Sequence, residues 1–439
     1  MKSVSPFEKI PYITLPGNYL TNTGPFLVEM YEQYGPIFRT THFGADLVYM
    51  VGPEANRFVL LSNRLKFSHR EGWGKLYGVL DVYGDGLLTM DGPEHDRHRR
   101  MLNPAFANAC MDRYLPLMNR ITRQRIATWA AKGEVDIYQE MRKITFDVAA
   151  EALAGLKAGP EIERFRGLFV SLLMQGMRAR RSRLRDELHQ MLQAKIHERR
   201  EHPTEDILGL MVQARDDQGN ALSDEQIIAH INILLVAGHE TSTSLSSWLL
   251  YLLSLHPDYT QRILDEQEQL PGLELEPTFD SIRRMKVLDN ALSEAERLYP
   301  PIANGPRGVL EDFTFNGYHI PAGTHVFYSI AATHLIPSIF AEPAKFDPDR
   351  FAPPREEHKK TPFALVGFGG GPRICIGINL AKVEIKVMVS HILRRYQLEL
   401  GPGQKITQFY RATGMPLHGI KMRFSERKRP YLYPGILAR

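Results

Sequence analysis

The sequence predicts a mainly α-helical protein with small β-sheets. Three observations favour this class: apolar residues recur at helical spacing through most of the chain, short strand-like runs stand near both ends, and there are no repeats or low-complexity linkers. Of the 439 residues, 43% are hydrophobic, which is ample for a large buried core. We therefore expect a single domain over residues 1–439.

The predicted elements follow from these patterns. Strand-like runs occupy residues 36–52, 307–330 and 418–426. The helical periodicity predicts helices, in chain order, at 111–131, 135–155, 160–200, 204–215, 223–256, 257–269, 279–299 and 378–396.

The predicted helix at 223–256 is the longest, a rod of roughly 50 Å at 1.5 Å per residue. Ser223 and Gln226 form a capping box at its start, and most of its faces are apolar, which favours a place in the core. The segment AGHET, 237–241, interrupts it. Ala237 and Thr241 share one face, where small side chains and a hydroxyl indicate that something flat lies close to the helix.

Composition and charge exclude several classes of protein. A net charge of +4 does not require a nucleic-acid partner, and two distant cysteines exclude a disulfide framework or a four-thiolate metal site. Such cysteine usage suits a reducing cytoplasm. The N-terminus has no apolar run of signal-peptide length, and polar residues interrupt the longest apolar stretch, so we expect no membrane anchor.

The segment FGGGPRICIG, 368–377, surrounds one of the two cysteines, Cys375. Its glycines permit a tight turn and a close approach to a ligand, and the helix that follows Gly377 directs its dipole toward a thiolate. A single thiolate held in this way suits the axial position of haem iron. The other cysteine, Cys110, is interpreted as a small core residue.

FGGGPRICIG fits the haem-binding signature of the cytochromes P-450, F-x-x-G-x-R-x-C-x-G, at every fixed position, and the resemblance covers about residues 30–425. The length resembles that of soluble bacterial members, but Arg373, where many of these carry histidine, is typical of a eukaryotic haem-binding turn. Further segments similar to family motifs are GPEHDRHRR at 92–100, AGHET at 237–241, EAER at 294–297 and FDPDRF at 346–351.

The resemblance implies the P-450 fold, in which the long helix lies over haem b (iron protoporphyrin IX) and Cys375 binds the iron. Ala237, Phe368 and Gly377 would contact the cofactor. Four cationic side chains could hold the haem propionates through charge-assisted hydrogen bonds. These are His95, Arg99, Arg307 and Arg373.

Glu294, Arg297 and Arg350 resemble the buried ion network of the family, which we assign to architecture. Glu240 and Thr241 have two readings. The threonine hydroxyl can bond back to its own helix, or the pair can deliver protons to iron-bound oxygen, as the resemblance implies. The intact acid–alcohol pair favours a monooxygenase that activates O2.

By resemblance, the substrate pocket lies over the haem, and its apolar composition indicates a hydrophobic small molecule. The expected lining residues are Trp73, Leu76, Tyr77, Leu80, Leu87, Ile233, Val236, Ala237, Ile302, Ala303, Asn304 and Met415. The arginine-rich segment 177–185 falls in the lid region of the family; it is either a solvated helix face or a site that attracts anions.

We expect no fused reductase module, so that electrons would come from a separate ferredoxin or flavodoxin. Cations on the thiolate side would steer this acidic partner. They are Arg97, Arg100, Lys382 and Lys386. The protein is expected to be a monomer.

The sequence thus predicts a haem-thiolate monooxygenase that inserts one oxygen atom from O2 into a terpenoid, retinoid, sterol or fatty-acid-like molecule. Two alternatives remain open: a peroxide-driven or rearranging haem-thiolate enzyme, and a non-enzymatic haem-thiolate sensor.

Overall fold

The computed structural model describes residues 4–42, 44–157, 159–175, 183–270 and 276–427. Most of them are helical, with small sheets, as the sequence predicts. The α-helices are α1 (Thr23–Tyr34), α2 (Pro53–Arg57), α3 (Val79–Tyr83), α4 (Gly92–Leu102), α5 (Met111–Ile126), α6 (Ile137–Ala154), α7 (Pro160–Gln175), α8 (Arg183–Glu201), α9 (Ile207–Gln213), α10 (Asp224–Leu255), α11 (Pro257–Glu268), α12 (Phe279–Arg284), α13 (Lys286–Leu298), α14 (Ile330–Thr333), α15 (Glu357–Lys360) and α16 (Ile378–Arg395).

The strands form small sheets that join distant parts of the chain. The largest has the order β1-β2-β8-β5-β3, in which β2 and β8 are parallel, and a second has the order β4-β12-β9. The pairs β6-β7 and β10-β11 are antiparallel. The strands are β1 (Ile37–His42), β2 (Ala45–Val51), β3 (Phe67–Ser68), β4 (Glu134–Asp136), β5 (Asn304–Val309), β6 (Phe313–Phe315), β7 (Tyr318–Ile320), β8 (His325–Ser329), β9 (Tyr396–Leu400), β10 (Gln408–Tyr410), β11 (Gly414–Pro416) and β12 (Lys421–Glu426).

Helix α10 runs through the core as predicted. Its capping box is present, since the Gln226 amide donates to Ser223 Oγ at 3.3 Å and the Ser223 amide donates to Gln226 Oε1 at 3.0 Å. Trp248 stacks on Tyr299, with ring centroids 4.1 Å apart, and donates through Nε1 to the carbonyl of Gly414 at 2.8 Å. These contacts join α10 to α13 and to β11.

Two predicted helices are divided in the structure. The predicted helix at 279–299 breaks at Met285, because the Glu266 carboxylate accepts from the amides of Lys286 and Val287 and so begins a new helix. The predicted helix at 160–200 appears as α7 and α8, and most of the arginine-rich segment 177–185 lies outside the described residues. Within the described ranges, no helix is both long and apolar enough to span a membrane.

A buried ion network joins α13 to the segment before α15. Arg297 donates to both oxygens of Glu294, at 2.7 and 2.8 Å, and Arg350 Nε donates to Glu294 Oε1 at 3.1 Å. All three side chains are fully buried. Arg297 also donates to the carbonyls of His334 and Pro343. The structure therefore brings together the three residues that the sequence assigned to architecture.

We predict that Glu294→Leu lowers the free energy of unfolding by ~3–5 kcal/mol, because the buried Arg297 loses its carboxylate partner and the buried Arg350 keeps only Glu357. Urea denaturation followed by circular dichroism measures the change. Arg262→Ala is the matched control, since Arg262 pairs with Asp349 at the surface, where an ion pair contributes about 0–1 kcal/mol. Equal losses in the two variants would contradict the prediction.

Candidate active site

The loop that carries Cys375 is held by its own backbone. The Cys375 amide donates to the carbonyl of Phe368 at 2.8 Å, and α16 begins three residues after the cysteine. Gly371 adopts a positive φ of 61°, and a β-carbon there would collide with the carbonyl of Leu60. The turn predicted from FGGGPRICIG is therefore present, with the thiol at its tip.

The Cys375 thiol opens into an internal cavity. The surrounding protein raises its pKa by desolvation, whereas the amide of Gly377 and the guanidinium of Arg99 lower it. Arg99 also donates to the carbonyl of Ile374 at 2.7 Å and so holds the loop beside the thiol. A cationic side chain and a helix N-terminus thus favour the thiolate against the cost of burial.

Across the cavity lies the AGHET segment of α10. Ala237 and Gly238 are exposed, in a helix whose side chains are otherwise mostly buried, and a β-carbon built on Gly238 meets nothing within 4 Å. Thr241 is partly exposed on the same side, where its hydroxyl donates to the carbonyl of Ala237 at 2.6 Å. This face of α10 is therefore uncovered, as predicted, and it lines the same cavity as Cys375.

The remaining cavity walls are mainly apolar. They come from α6, from the residues after α13 and from α16, and include Val148, Ala149, Leu153, Pro301, Ile302, Phe368, Leu380, Ala381 and Ile385.

A second pocket beside the cysteine loop is cationic. It is lined by His69, Arg307 and Arg373, with Asp91 as its acid. Arg307 is buried and donates to the carbonyl of Pro306 at 2.7 Å, with no carboxylate within ion-pair distance among the described residues. Burial and the nearby Arg307 lower the pKa of Arg373 to about 9. Arg373 pairs with Asp91 at 3.3 Å, whereas Arg307 lacks a negative partner, which an anionic ligand would supply.

His69 is a candidate that the sequence interpretation missed. It is buried, and neither ring nitrogen has a hydrogen-bond partner among the described residues. Burial, together with Arg307 and Arg373, holds its pKa well below the usual range. No local pattern marks this histidine, because its position follows from the antiparallel pairing of β3 with β5.

The other two predicted propionate partners lie on α4. His95 is buried, contacts Asp96 Oδ1 at 2.9 Å, and has its pKa lowered to about 4 by burial and by Arg373. Arg99 bonds to Asn103 and to the cysteine loop. Their roles toward a propionate stay predictions.

Comparisons with known proteins agree with this geometry. The family model of cytochrome P450 matches residues 11–164 and 162–424. Cytochrome P450 120 of Synechocystis sp. is 34% identical over 94% of this chain and 95% of its own length. The retinoic acid-bound structure of cyanobacterial CYP120A1 superposes with a TM-score of 0.86 at 31% identity, and covers 97% of this chain and 100% of its own.

The chain belongs to the cytochrome P450 family. A plant relative, the β-amyrin 28-monooxygenase of Solanum lycopersicum, is 30% identical over 91% of this chain and 86% of its own length. The protein is accordingly an oxidoreductase with haem b as its cofactor.

The residues present fit haem. The cavity offers one thiol on one side and a bare helix face on the other, and the neighbouring pocket holds the buried Arg307, which has no carboxylate partner among the described residues. The unpartnered nitrogens of His69 and the buried Arg307 are suitable donors to a propionate.

Glu240 and Thr241 point in different directions. Glu240 is buried against α6, where Arg142 Nε donates to it at 2.7 Å and His239 Nε2 lies 2.9 Å from it. Burial alone would raise the pKa of Glu240, but His239 and Arg142 together lower that pKa by more, so the net shift is downward. Thr241 faces the cavity. The structure therefore does not bring the predicted acid and alcohol together on one side.

Of the predicted pocket residues, Ala237 and Ile302 line the cavity beside Cys375. Trp73 and Tyr77 instead pack against each other, with ring centroids 5.3 Å apart, and the Leu87 amide donates to His230. The residues that do not line this cavity are Trp73, Leu76, Tyr77, Leu80, Leu87, Ile233, Val236, Ala303, Asn304 and Met415. Their contact with substrate stays a prediction.

Two buried carboxyl groups in the cavity wall were also missed. Burial raises the pKa of Glu296 to about 7 and that of Glu384 to about 8. Ser242 lowers the pKa of Glu384, but Glu384 Oε1 has no hydrogen-bond partner in the described structure. An acid within the apolar run of α16 was the available signal for Glu384.

One of the predicted docking cations is wrong. Lys386 is buried and donates to the carbonyl of Ile282 and to Asp289 Oδ1, both at 3.1 Å. The four-residue spacing places Lys386 on the same face of α16 as Lys382, but α12 and α13 cover the position of Lys386. Arg97 and Arg100 lie near the surface and pair with Asp216 and Asp217.

We predict that Arg142→Leu lowers the free energy of unfolding at pH 7 by about 3 kcal/mol, because Glu240 remains buried without its cation. The folded-state pKa of Glu240 is depressed, so its contribution is present above its unfolded value near pH 4.5 and is lost as the pH falls through the folded pKa. The difference between variant and wild type should therefore shrink below pH 4.5, as urea denaturation at several pH values would show. Arg164→Ala, at an exposed pair, is the control. A difference that does not depend on pH would rule out this account.

We predict that Cys375→Ala abolishes the long-wavelength Soret band of the reduced, CO-bound protein, since that band requires a thiolate ligand. Cys110→Ala removes a cysteine that bonds to the carbonyl of Pro104, away from the cavity, and should keep the band. The CO difference spectrum of each purified variant measures it. A long-wavelength band in Cys375→Ala would refute the assignment of this ligand.

Proposed function

We propose that the protein is a monooxygenase that inserts one oxygen atom from O2 into a hydrophobic small molecule, with electrons from a separate redox protein. The observation that carries this proposal is the placement of the Cys375 thiol opposite the uncovered face of Ala237 and Gly238, with Thr241 on the same cavity. Haem bound by Cys375 would supply the oxygen chemistry, since a thiolate ligand favours O–O cleavage.

Each side chain has a defined task in this proposal. Cys375 binds the iron, Arg99 holds the cysteine loop, and the cationic pocket around Arg307 binds the propionates. Ala237 and Gly238 leave room for a flat ligand because they present almost no side chain to the cavity.

Thr241 is proposed to hold and pass a proton at Oγ1. Its hydroxyl now donates to the carbonyl of Ala237, and rotation about χ1 would turn it toward the cavity. Glu240 is proposed to supply protons from the opposite side of α10, where Arg142 and His239 keep it ionised. Proton delivery therefore requires the carboxylate to leave Arg142 or water to connect the two sides.

The proposed substrate is an apolar molecule of the terpenoid or retinoid type, with sterols and fatty acids as the other classes. The apolar walls of the cavity support this class. The names of two relatives point the same way: one solved structure holds retinoic acid, and one enzyme is a β-amyrin 28-monooxygenase.

The proposed electron donor is an acidic ferredoxin or flavodoxin that docks near the cysteine loop. Arg97, Arg100 and Lys382 are the cations proposed to guide it. The two arginines already pair with Asp216 and Asp217, so the local charge is partly balanced. Docking should weaken as salt rises, because salt screens the attraction between the remaining cations and an acidic partner.

We predict that Thr241→Ala slows oxidation supported by O2, ferredoxin and ferredoxin reductase by roughly 10²-fold or more, the usual contribution of a proton-transfer group. Oxidation supported by hydrogen peroxide should be retained, because peroxide brings its own protons. Retinoic acid is the test substrate, and its products are measured by chromatography.

Thr243→Val is the matched control, since Thr243 bonds back to the carbonyl of His239 at 2.7 Å but faces Thr145 in the core. This variant should keep both activities. Equal loss of both activities in Thr241→Ala would contradict the proton role. Wild-type turnover with peroxide but none with O2, ferredoxin and ferredoxin reductase would favour the peroxide-driven alternative.

A further inference from the structure

A third acidic residue stands within the E-x-x-R motif of α13. Glu296 occupies a position that the motif leaves free, between Glu294 and Arg297. It takes no part in the buried ion network, and its side chain is 4% exposed. It lines the cavity that contains Cys375. A buried carboxyl group needs polar neighbours to stabilise it, and the segment that supplies them is the segment that the carboxyl group positions.

The start of the cysteine loop presents its backbone amides to Glu296, and those of Gly367 and Phe368 lower the pKa of this carboxyl group. Position 367 admits this contact because it is glycine: a β-carbon there would collide with Glu296 Oε1. The carboxyl group of Glu296 therefore lies directly against the backbone of the cysteine loop.

The Phe368 peptide connects Glu296 to the cysteine. Its N–H lowers the pKa of Glu296, and its carbonyl accepts from the amide of Cys375 at 2.8 Å. Arg99 holds the same loop from the other side, through the carbonyl of Ile374. The loop is therefore fixed between a buried anion and a cation.

Several charged groups act on Glu296 from the surrounding elements. Burial raises its pKa to about 7, Lys382 of α16 and the two amides lower the pKa, and Asp289 of its own helix raises it. Glu296 in turn raises the pKa of the Cys375 thiol. The other ionisable groups nearby are Glu384 on α16, which lines the same cavity, and His334 behind α13. Arg99 acts on Cys375 and not on Glu296.

We propose that Glu296 is a positioning residue that holds the cysteine loop and lowers the reduction potential of the iron bound by Cys375. The inference rests on the proposed function only in that Cys375 must be the iron ligand. A negative charge in a poorly solvated site stabilises the ferric state over the ferrous state, which carries one positive charge less. Protonation of Glu296 removes this effect, so the midpoint potential rises as the pH falls through 7.

The test is a spectroelectrochemical titration of the haem-loaded protein at pH 6 and pH 7.5. Glu296→Gln keeps the shape of the side chain but not its charge. We expect its midpoint potential to be more positive than that of the wild type at pH 7.5, and close to it at pH 6. Coincident midpoint potentials at pH 7.5 would overturn the proposal.

Glu384→Gln is the matched control. It replaces another buried carboxyl group of the same cavity, one that has no contact with the loop amides and whose pKa of about 8 already leaves it mostly protonated at these pH values. This variant should follow the wild type at both pH values. An equal shift in both variants would show a general effect of cavity charge and would also overturn the proposal.

Lys382→Met tests the proposal without altering Glu296. Lys382 is partly exposed, and its ammonium lies 5.9 Å from the centroid of the Phe368 ring. Loss of this cation raises the pKa of Glu296, so the pH-dependent step in midpoint potential should move to higher pH. A flat wild-type profile, or an unmoved step in Lys382→Met, would overturn the proposal.

The CO difference spectrum distinguishes failure of the role proposed for Glu296 from failure of the proposed function. A long-wavelength Soret band in all of these proteins shows that Cys375 remains the ligand, so that an unchanged potential refutes only the role of Glu296. A short-wavelength band in the wild type would refute the proposed function itself.

Discussion

The buried carboxylate of Glu294 is the contact on which the region beneath the cavity depends. It neutralises Arg297 and Arg350, and these two guanidinium groups also bond to the carbonyls of His334, Pro343 and Ala341. The buried carbonyl groups of this irregular backbone thereby receive hydrogen bonds that they would otherwise lack. The network fixes the position of α13, and α13 in turn presents Glu296 to the cysteine loop.

The opposite wall is built on a different constraint. Helix α10 is long enough to cross the core, yet it leaves one face free toward the cavity that contains Cys375. A capping box and buried contacts such as Trp248 on Tyr299 stabilise its ends, which offsets the ~1 kcal/mol that a glycine costs inside a helix. Gly238 is therefore tolerated on a helix face where a large side chain would fill the cavity.

Charge is distributed unevenly around the cavity. The pocket of Arg307, Arg373 and His69 holds more buried cations than acids, and its groups have lowered pKa values. Such a site is costly alone and gains stability when an anion binds, so haem binding and folding should support each other. On the thiol side the balance is closer, since Arg99 and Glu296 act on Cys375 with opposite sign.

The sequence alone determined the features that depend on local chemistry. The turn around Cys375, the capping box of α10 and the uncovered face of Ala237 and Gly238 follow from residue types at short spacing. The Glu294–Arg297 contact does too, because residues three apart on a helix face each other. The mainly helical class was predictable for the same reason, although the break at Met285 needed Glu266 from another helix.

The tertiary structure decided everything that depends on which distant element covers a side chain. Lys386 has the spacing of a surface cation but is buried by α12 and α13, and Glu240 adjoins Thr241 in sequence but turns toward Arg142 on α6. His69 and Glu296 acquire their surroundings only when β3 meets β5 and when α13 meets the cysteine loop. The physical reason is that burial, hydrogen-bond partners and pKa shifts are set by contacts between residues far apart in the chain, and these contacts leave no periodic trace in the sequence.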